Sequence, residues 1–271
     1  MQPQQMNTGN FMPPIGFGTW KINPDQSAFE AVLRALDSGY RLIDTARIYD
    51  NEGGVGRAIH ASSVPRDELF ITTKLWNDDQ GYESALHAFE ASLRRLNLSY
   101  IDLYLIHWPS SPLRLESWRA LEELYKAGKA KAVGVSNYTE KHLRELFAHA
   151  EITPAVNQIE FHPSIFRAQM PIVEFCRQHG IIVQAYSPLL SGHMDHPVVL
   201  EVAKRCGRPP AQVLLRWSVQ HGVVPLPSST NPEHMAQNLA VDGFVLKPQD
   251  MALLNDINDE YRVAPNPYLI S

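Results

Sequence analysis

Gly39-Tyr40-Arg41-Leu42-Ile43-Asp44-Thr45-Ala46 is the stretch whose reading decides the fold. Before it, residues 26–38 place Phe29, Val32, Leu33 and Leu36 at helical spacing on one face. Gly39 stands just past that run, where a helix closes most easily in a left-handed turn. Leu42 and Ile43 then form a short apolar strand that runs directly into the carboxylate of Asp44. The order is helix, glycine, short strand and polar strand end, and it recurs outward in both directions.

Strands are expected at 15–19, 42–44, 69–74, 101–107, 132–136, 155–159, 181–186 and 223–226. Most are near-continuous apolar runs, as parallel strands covered by helices are. Helical patterns fill the gaps at 26–38, 82–96, 115–127, 139–150, 171–179, 197–205 and 211–220, several of them ending at a glycine. Eight strands with intervening helices and no long linker predict an α/β chain, a single (β/α)8 TIM barrel domain over 1–271. A doubly wound sheet would carry G-x-G-x-x-G after its first strand, and Gly16-Phe17-Gly18-Thr19-Trp20-Lys21 lacks the third glycine. Gly53-Gly54-Val55-Gly56 reads as a turn into a helix ending near His60. Residues 1–10 read as a loose lead-in or the remnant of a short hairpin.

Composition narrows the function classes. The chain has 271 residues, 44% hydrophobic, with a net charge of -5, and no basic stripe of the kind that holds nucleic acid. No apolar run approaches the ~20 residues of a membrane span. The start, Met1-Gln2-Pro3-Gln4-Gln5-Met6, lacks the basic and apolar regions of a signal peptide, so a cytoplasmic protein is expected. Cys176 and Cys206 lie far apart in no CxxC and read as free thiols of a reducing compartment.

Barrel sites gather at the C-terminal ends of strands. Here those ends carry Asp44, with Tyr49 five residues on, then Lys74, His107, Ser136-Asn137, Gln158 and Tyr186-Ser187-Pro188. Taken singly, each has a structural explanation: a turn cap, a solvated lysine, a hydrogen-bonded histidine, a packed tyrosine. Closing the barrel brings the ends of strands two, three and four to one mouth, which places a carboxylate, an ammonium, an imidazole and a phenol together. A free phenol has a pKa of about 10. A neighbouring ammonium is expected to lower it, and a carboxylate to hold the ammonium. Such a set suits polarising and protonating a carbonyl while hydride arrives at its carbon. A metal site is not expected: no HxH or HExxH is present, and Lys74 would repel a cation.

The stretches from Ile15 to Lys21 and Gly39 to Ala46, Tyr49-Asp50-Asn51-Glu52, Lys74-Leu75-Trp76 and Asp102-Leu103-Tyr104-Leu105-Ile106-His107-Trp108-Pro109 recur in a known order. Gly134-Val135-Ser136-Asn137, Val156-Asn157-Gln158-Ile159-Glu160, His162-Pro163 and Ala185-Tyr186-Ser187-Pro188-Leu189 continue it. With them the chain resembles the aldo-keto reductase superfamily over about residues 12–259. The resemblance implies NAD(P)H-dependent reduction of aldehydes or ketones with a catalytic tetrad of Asp44, Tyr49, Lys74 and His107. Tyr49 would be the general acid, Lys74 would tune it, Asp44 would hold Lys74, and His107 would orient the carbonyl. It also implies cofactor contacts from Gly18, Thr19, Trp20, Asp44, Ser136, Asn137, Gln158, Tyr186, Ser187, Pro188, Leu189, Ser191, Leu226, Ser228, Ser229, Thr230, His234, Gln237 and Asn238. Trp20, Trp76 and Trp108, with Tyr49 and His107, would line the substrate pocket.

The resemblance weakens near the eighth strand. Ser228 stands where the family has Lys, His234 where it has Arg, and Gln237 where it has Glu. Family likeness implies NADP(H), while the loss of those cations makes NAD(H) acceptable. No Lys or Arg occurs between Arg216 and Lys247. The expected partner is a small-molecule carbonyl, with no nucleic acid and no membrane, and the family default is a monomer. The segment 109–113 and the tail after Asp259 are short, which predicts an open pocket for aldehydes, dicarbonyls or keto-sugars. Two rival readings stay open: a catalytically idle, cofactor-sensing or structural member of the same fold, and an unrelated barrel hydrolase using Asp44 and His107.

Overall fold

In a computed structural model, which describes residues 1–110, 112–257 and 259–270, the chain opens with a small antiparallel hairpin. Its strands, β1 (Gln4–Gln5) and β2 (Phe11–Met12), pair Gln4 with Met12. Of the two readings of residues 1–10, the short hairpin holds and the loose lead-in does not. Met6 and Met12 are buried against Leu42, Phe70, Leu103 and Val224, so the hairpin plugs the end of the barrel where the strands begin.

Eight parallel strands follow in chain order: β3 (Phe17–Gly18), β4 (Leu42–Asp44), β5 (Phe70–Leu75), β6 (Leu103–Ile106), β7 (Val133–Ser136), β8 (Val156–Glu160), β9 (Ile182–Tyr186) and β10 (Val224–Pro225). The first and last meet. Gly16 N–H donates to Pro225 O and Gly18 N–H to Pro227 O, each at 3.0 Å. A Cβ on Gly18 would sit 3.1 Å from Leu226 O, so glycine lets the two edges close. Pro225 and Pro227 have no N–H to give and serve this seam only as acceptors.

The helices are α1 (Asp25–Asp37), α2 (Glu52–Ala61), α3 (Tyr82–Leu96), α4 (Arg114–Lys126), α5 (Glu140–Phe147), α6 (Phe166–Gln178), α7 (Pro197–Cys206), α8 (Pro210–Gln220), α9 (Pro232–Leu239) and α10 (Pro248–Asn255). The last has no counterpart among the sequence expectations. The glycine run 53–56 lies inside α2 rather than in a turn before it. A Cβ on Gly54 would meet Asp25 O at 2.1 Å and one on Gly56 would meet Leu96 O at 2.3 Å, so these glycines serve close packing of α2 on its neighbours. Helix α6 starts five residues before the expected Pro171. That proline is on the exposed side of the helix, where water can take the carbonyl its ring leaves unpaired.

Alternation along each strand sorts the side chains. Ile43, Ile71, Tyr104, Ile106, Val183 and Ala185 face the helices. Leu42, Phe70, Leu103, Leu105, Val156 and Ile182 fill the barrel. The inward parity continues to Asp44, Thr72 and Lys74, His107, Gln158, and Gln184 and Tyr186. Period two thus places Asp44, Lys74, His107, Gln158 and Tyr186 over the apolar plug. Among the described residues no helix is long and apolar enough to cross a membrane, and Cys176 and Cys206 are free.

Candidate active site

Asp44, at the end of β4, and Lys74, near the end of β5, meet inside the barrel. Lys74 Nζ lies 2.6 Å from Asp44 Oδ1 and donates to Thr45 O at 2.9 Å, with both side chains almost fully buried. Its third contact is the Tyr49 hydroxyl at 3.4 Å. Tyr49 ends a short 3-10 turn, Arg47–Tyr49, closed by Asp50 in the left-handed region (φ 53°). The next two residues clamp that turn. Asn51 takes a hydrogen bond from Thr45 Oγ1 at 2.7 Å and gives two, to Thr19 O and Ile22 O. The buried Glu52 accepts from Thr73 Oγ1 at 2.6 Å and Arg95 Nε at 2.7 Å.

His107 follows β6. Its ring packs edge-on against Tyr49 at 5.7 Å and Trp76 at 5.2 Å between centroids. The four residues named for chemistry are therefore brought together. Their electrostatics depart from the sequence expectation at Tyr49. Burial, then the Asp44 charge, holds the phenol well above its ordinary value. The ammonium does not win: the phenol is buried, and Lys74 is already paired with Asp44 at 2.6 Å. Burial also pulls Lys74 down, against Asp44 and Glu52. Burial and then the Lys74 charge push His107 well below the usual imidazole range. At neutral pH the set is a phenol and a neutral imidazole beside the Lys74–Asp44 pair.

Above these groups lies a cavity of about 960 Å³. Its wall includes Gly18, Trp20, Asp44, Tyr49, Trp76, His107, Trp108, Asn137, Gln158 and Tyr186 on one side. It extends past Ser187, Pro188, Leu189 and Ser191 to Leu226, Ser228, Ser229, His234, Gln237 and Asn238 at the start of α9. Lys74 lies behind Tyr49. Thr19, Ser136 and Thr230, also named from the sequence, are not on the wall. Thr19 Oγ1 donates to Asp44 O at 3.0 Å and Ser136 Oγ to Gln158 O at 2.9 Å, so both hold the frame. Sequence reasoning missed Lys21, Ile48, Asn77, Met194, Val263, Ala264, Pro265 and Ile270, which also line the cavity. Lys21 could have been found, since it follows Trp20 in a quoted motif; the tail residues carry no such signal. Short as it is, the tail forms part of the wall. Part of the segment 109–113 lies outside the described residues.

The donor set fits a long nucleotide. Asn137, at φ 64°, gives both amide protons internally, to His107 O and Ser136 Oγ, and takes one from Tyr186 OH at 2.8 Å. Gln158 Nε2 contacts Asp44 Oδ2 and Gln184 Oε1, each at 2.8 Å. Their carbonyl oxygens therefore keep acceptor capacity for an amide, next to the Tyr186 ring. At the far end, Asn231 Oδ1 caps α9 through Glu233 N–H at 2.8 Å, leaving a helix N-terminus beside Ser228 and Ser229.

A profile described as the aldo/keto reductase family matches residues 14–259. The chain is 47% identical over 264 residues to the glyoxal reductase of Bacillus subtilis, covering 97% of this chain and 95% of that one. It is 46% identical over 260 residues to the 9,11-endoperoxide prostaglandin H2 reductase of Trypanosoma cruzi, covering 94% and 91%. Among solved structures, Gox0644 in its apo form superposes with a TM-score of 0.92 at 40% identity over 98% of this chain and 97% of that one. A substituted form of Gox0644 in complex with NADPH superposes with a TM-score of 0.91 at 40% identity, over 98% and 97%. Profile, sequence and barrel agree over nearly the whole chain, and the protein belongs to the aldo/keto reductase family of oxidoreductases.

Proposed function

We propose that this protein reduces aldehyde or ketone carbonyls to alcohols with a nicotinamide dinucleotide, the chain acting as one barrel domain. The observation that carries the reading is the unbroken line Asp44–Lys74–Tyr49, at 2.6 and 3.4 Å, which ends beside His107 on the cavity wall. A reduced nicotinamide, when bound, supplies the hydride. Tyr49 supplies the proton to the carbonyl oxygen, and its raised pKa keeps that proton in place at neutral pH. Lys74 stabilises the phenolate left behind, and Asp44 fixes Lys74. His107 orients the carbonyl. Its Nδ1 is buried with no partner among the described residues, and a proton there would be an unsatisfied buried donor, so the neutral ring carries its proton on Nε2. Asn137, Gln158 and Tyr186 hold the nicotinamide end, while Trp20, Trp76 and Trp108 surround the substrate.

For the cofactor we propose NADP(H) with only weak preference over NAD(H). NADP(H) is supported by the NADPH complex of Gox0644. The weak preference rests on Ser228, Ser229 and His234, neutral donors or histidine at the α9 end of the cavity, where an Arg or Lys would best grip a 2′-phosphate. Lys21 is the one Lys or Arg among the described wall residues, and it stacks over Trp20 at 4.3 Å.

The test follows NADPH absorbance with a panel of aldehydes, dicarbonyls and keto-sugars, beginning with glyoxal, for which the Bacillus relative is named. Turnover of aldehydes or dicarbonyls is expected. Quenching of tryptophan fluorescence by NADPH without any turnover would favour the idle reading. No quenching at all would favour the hydrolase and sink this proposal.

A further inference from the structure

One buried carboxylate near the cavity plays no part in the chemistry proposed above. Glu160 ends β8, in register with Tyr186 at the end of β9, and is almost fully buried. Its carboxylate gathers three donors. His162 Nε2 lies 2.9 Å from Oε1, in a pair that is itself buried. The other two come from the C-terminal tail: Val263 N–H donates to Oε1 at 2.6 Å and Ala264 N–H to Oε2 at 3.2 Å. Both tail residues line the cavity.

A buried carboxylate must be hydrogen-bonded on both oxygens, or it costs far more than an exposed one. Bonds from N–H to an ionised oxygen are also roughly twice as strong as neutral ones. The barrel end and the tail therefore need each other. Glu160 is satisfied only when the tail lies across it, and the tail backbone is fixed at the two residues that face the cavity. Other tail contacts are weaker in kind: Glu260 N–H reaches Ser164 O at 3.1 Å, Tyr268 OH reaches Ala168 O at 3.4 Å, and Ile270 O lies 3.2 Å from His142 Nε2. These join neutral groups and lie on either side of the carboxylate latch.

We propose that Glu160 is a positioning residue that sets substrate specificity. By latching Val263 and Ala264 it fixes an apolar part of the cavity wall, and the site thereby favours carbonyls that carry an apolar arm long enough to reach it. This rests on the carbonyl reductase reading above and deepens it. A small aldehyde touches only Tyr49 and His107 and has no use for the wall.

The experiment compares glyoxal with 4-phenylbenzaldehyde in the wild type, Glu160→Gln and Glu160→Ala. Loss of the wall should raise KM for the biaryl aldehyde about tenfold in Glu160→Ala, the usual worth of a lost apolar contact in a pocket. Glyoxal kcat should stay within about twofold, because only binding common to ground and transition state is removed. Glu160→Gln, which keeps one acceptor, should fall between. Equal losses on both substrates, or no change on either, would overturn the latch. Two readouts do not depend on turnover. Trypsin should cut after Arg262 faster in Glu160→Ala than in the wild type. In the wild type itself, the Val263 and Ala264 amides should exchange hydrogen more slowly than those of Tyr261 and Arg262. Unprotected amides, or equal cutting, would overturn the latch even if a variant failed to fold. A wild type that turned over neither aldehyde would sink the reductase reading, and the exchange pattern would still decide the latch.

Discussion

The two ends of this barrel are made by the same strands and could hardly differ more. Where the strands begin, Leu42, Phe70, Leu103, Ala132, Ala155 and Val224 pack on Met6 and Met12 of the hairpin. Where they finish, two to five residues later, Asp44, Lys74, His107, Asn137, Gln158 and Tyr186 surround a cavity floor in which a lysine and a carboxylate are almost fully buried. The closed end gains from apolar area removed from water. The open end spends residues on buried charges, which contribute little to stability; burial first, and those charges second, raise Tyr49 and depress His107. The lesson is that stability and chemistry are divided along each strand, and the two can be broken separately.

The largest break should come at the open end. Tyr49→Phe removes one hydroxyl at the mouth, and the ring can keep its edge contact with His107. Carbonyl reduction is expected to fall by ~10²–10⁴-fold, the usual cost of losing a general acid. Fluorescence titration with NADPH and the thermal midpoint should stay near wild type. A variant that kept most of its steady-state rate would remove Tyr49 from the role proposed for it.

At the closed end the converse is expected. Met12 is fully buried, and Met12→Ala opens a hole in the plug. It should cost about 2–5 kcal/mol of stability, the usual range for a Met-to-Ala cavity. It should leave KM for glyoxal unchanged in the folded fraction. Urea denaturation and steady-state kinetics on one preparation check both halves. A changed KM with an intact urea midpoint would mean that the two ends are not separable.

How far this division was legible in the sequence differs between the ends. Every barrel strand could be placed to within a few residues, because an inward-facing polar residue at the end of an apolar run breaks the pattern visibly. The residues that gather around Tyr49 were named for the same reason. The hairpin stood only as one of two readings, and its role as a plug was not legible: β1 and β2 are two residues each, too short for a period of two to show, and Met12 looks like any lead-in methionine. The glycines of α2 were misplaced because close helix packing leaves no mark in the pattern of apolar residues. The tail's place in the cavity wall was hidden too, since Val263 and Ala264 are held through their backbone N–H groups, which any residue but proline supplies. The direction of the Tyr49 shift follows from burial first and the Asp44 charge second, and spacing encodes neither.

A smaller effect should sharpen the picture of the open end at α9. Ser228→Lys with His234→Arg would add two cations to the cavity wall where it has none. Each charge-assisted contact restored to a 2′-phosphate contributes about 1.5–3 kcal/mol. The ratio of kcat/KM for NADPH over NADH should therefore rise at least tenfold, with kcat for glyoxal barely altered. A wild type that already strongly rejects NADH would refute the weak preference proposed here.

The smallest expected effect is a flat line. Because burial and Asp44 raise Tyr49, the phenol stays protonated through neutrality and past the ordinary tyrosine value. Because burial and Lys74 depress His107, the ring stays neutral down through the ordinary histidine value. Reduction should then vary little between pH 6 and 9, and should decline only when alkali begins to ionise Tyr49. Stability carries the other half of the linkage. Below the unfolded histidine value of about 6.5, the unfolded chain binds a proton that folded His107 refuses, so stability should fall as pH drops through that value. Above the unfolded tyrosine value of about 10, the unfolded chain releases a proton that folded Tyr49 keeps, so stability should fall again as pH rises. Urea midpoints at pH 7.5 and 5.5 check the acid side, and the drop between them should shrink in His107→Asn. A rate that changes tenfold between pH 7 and 8 would mean that a group other than these two controls the open end.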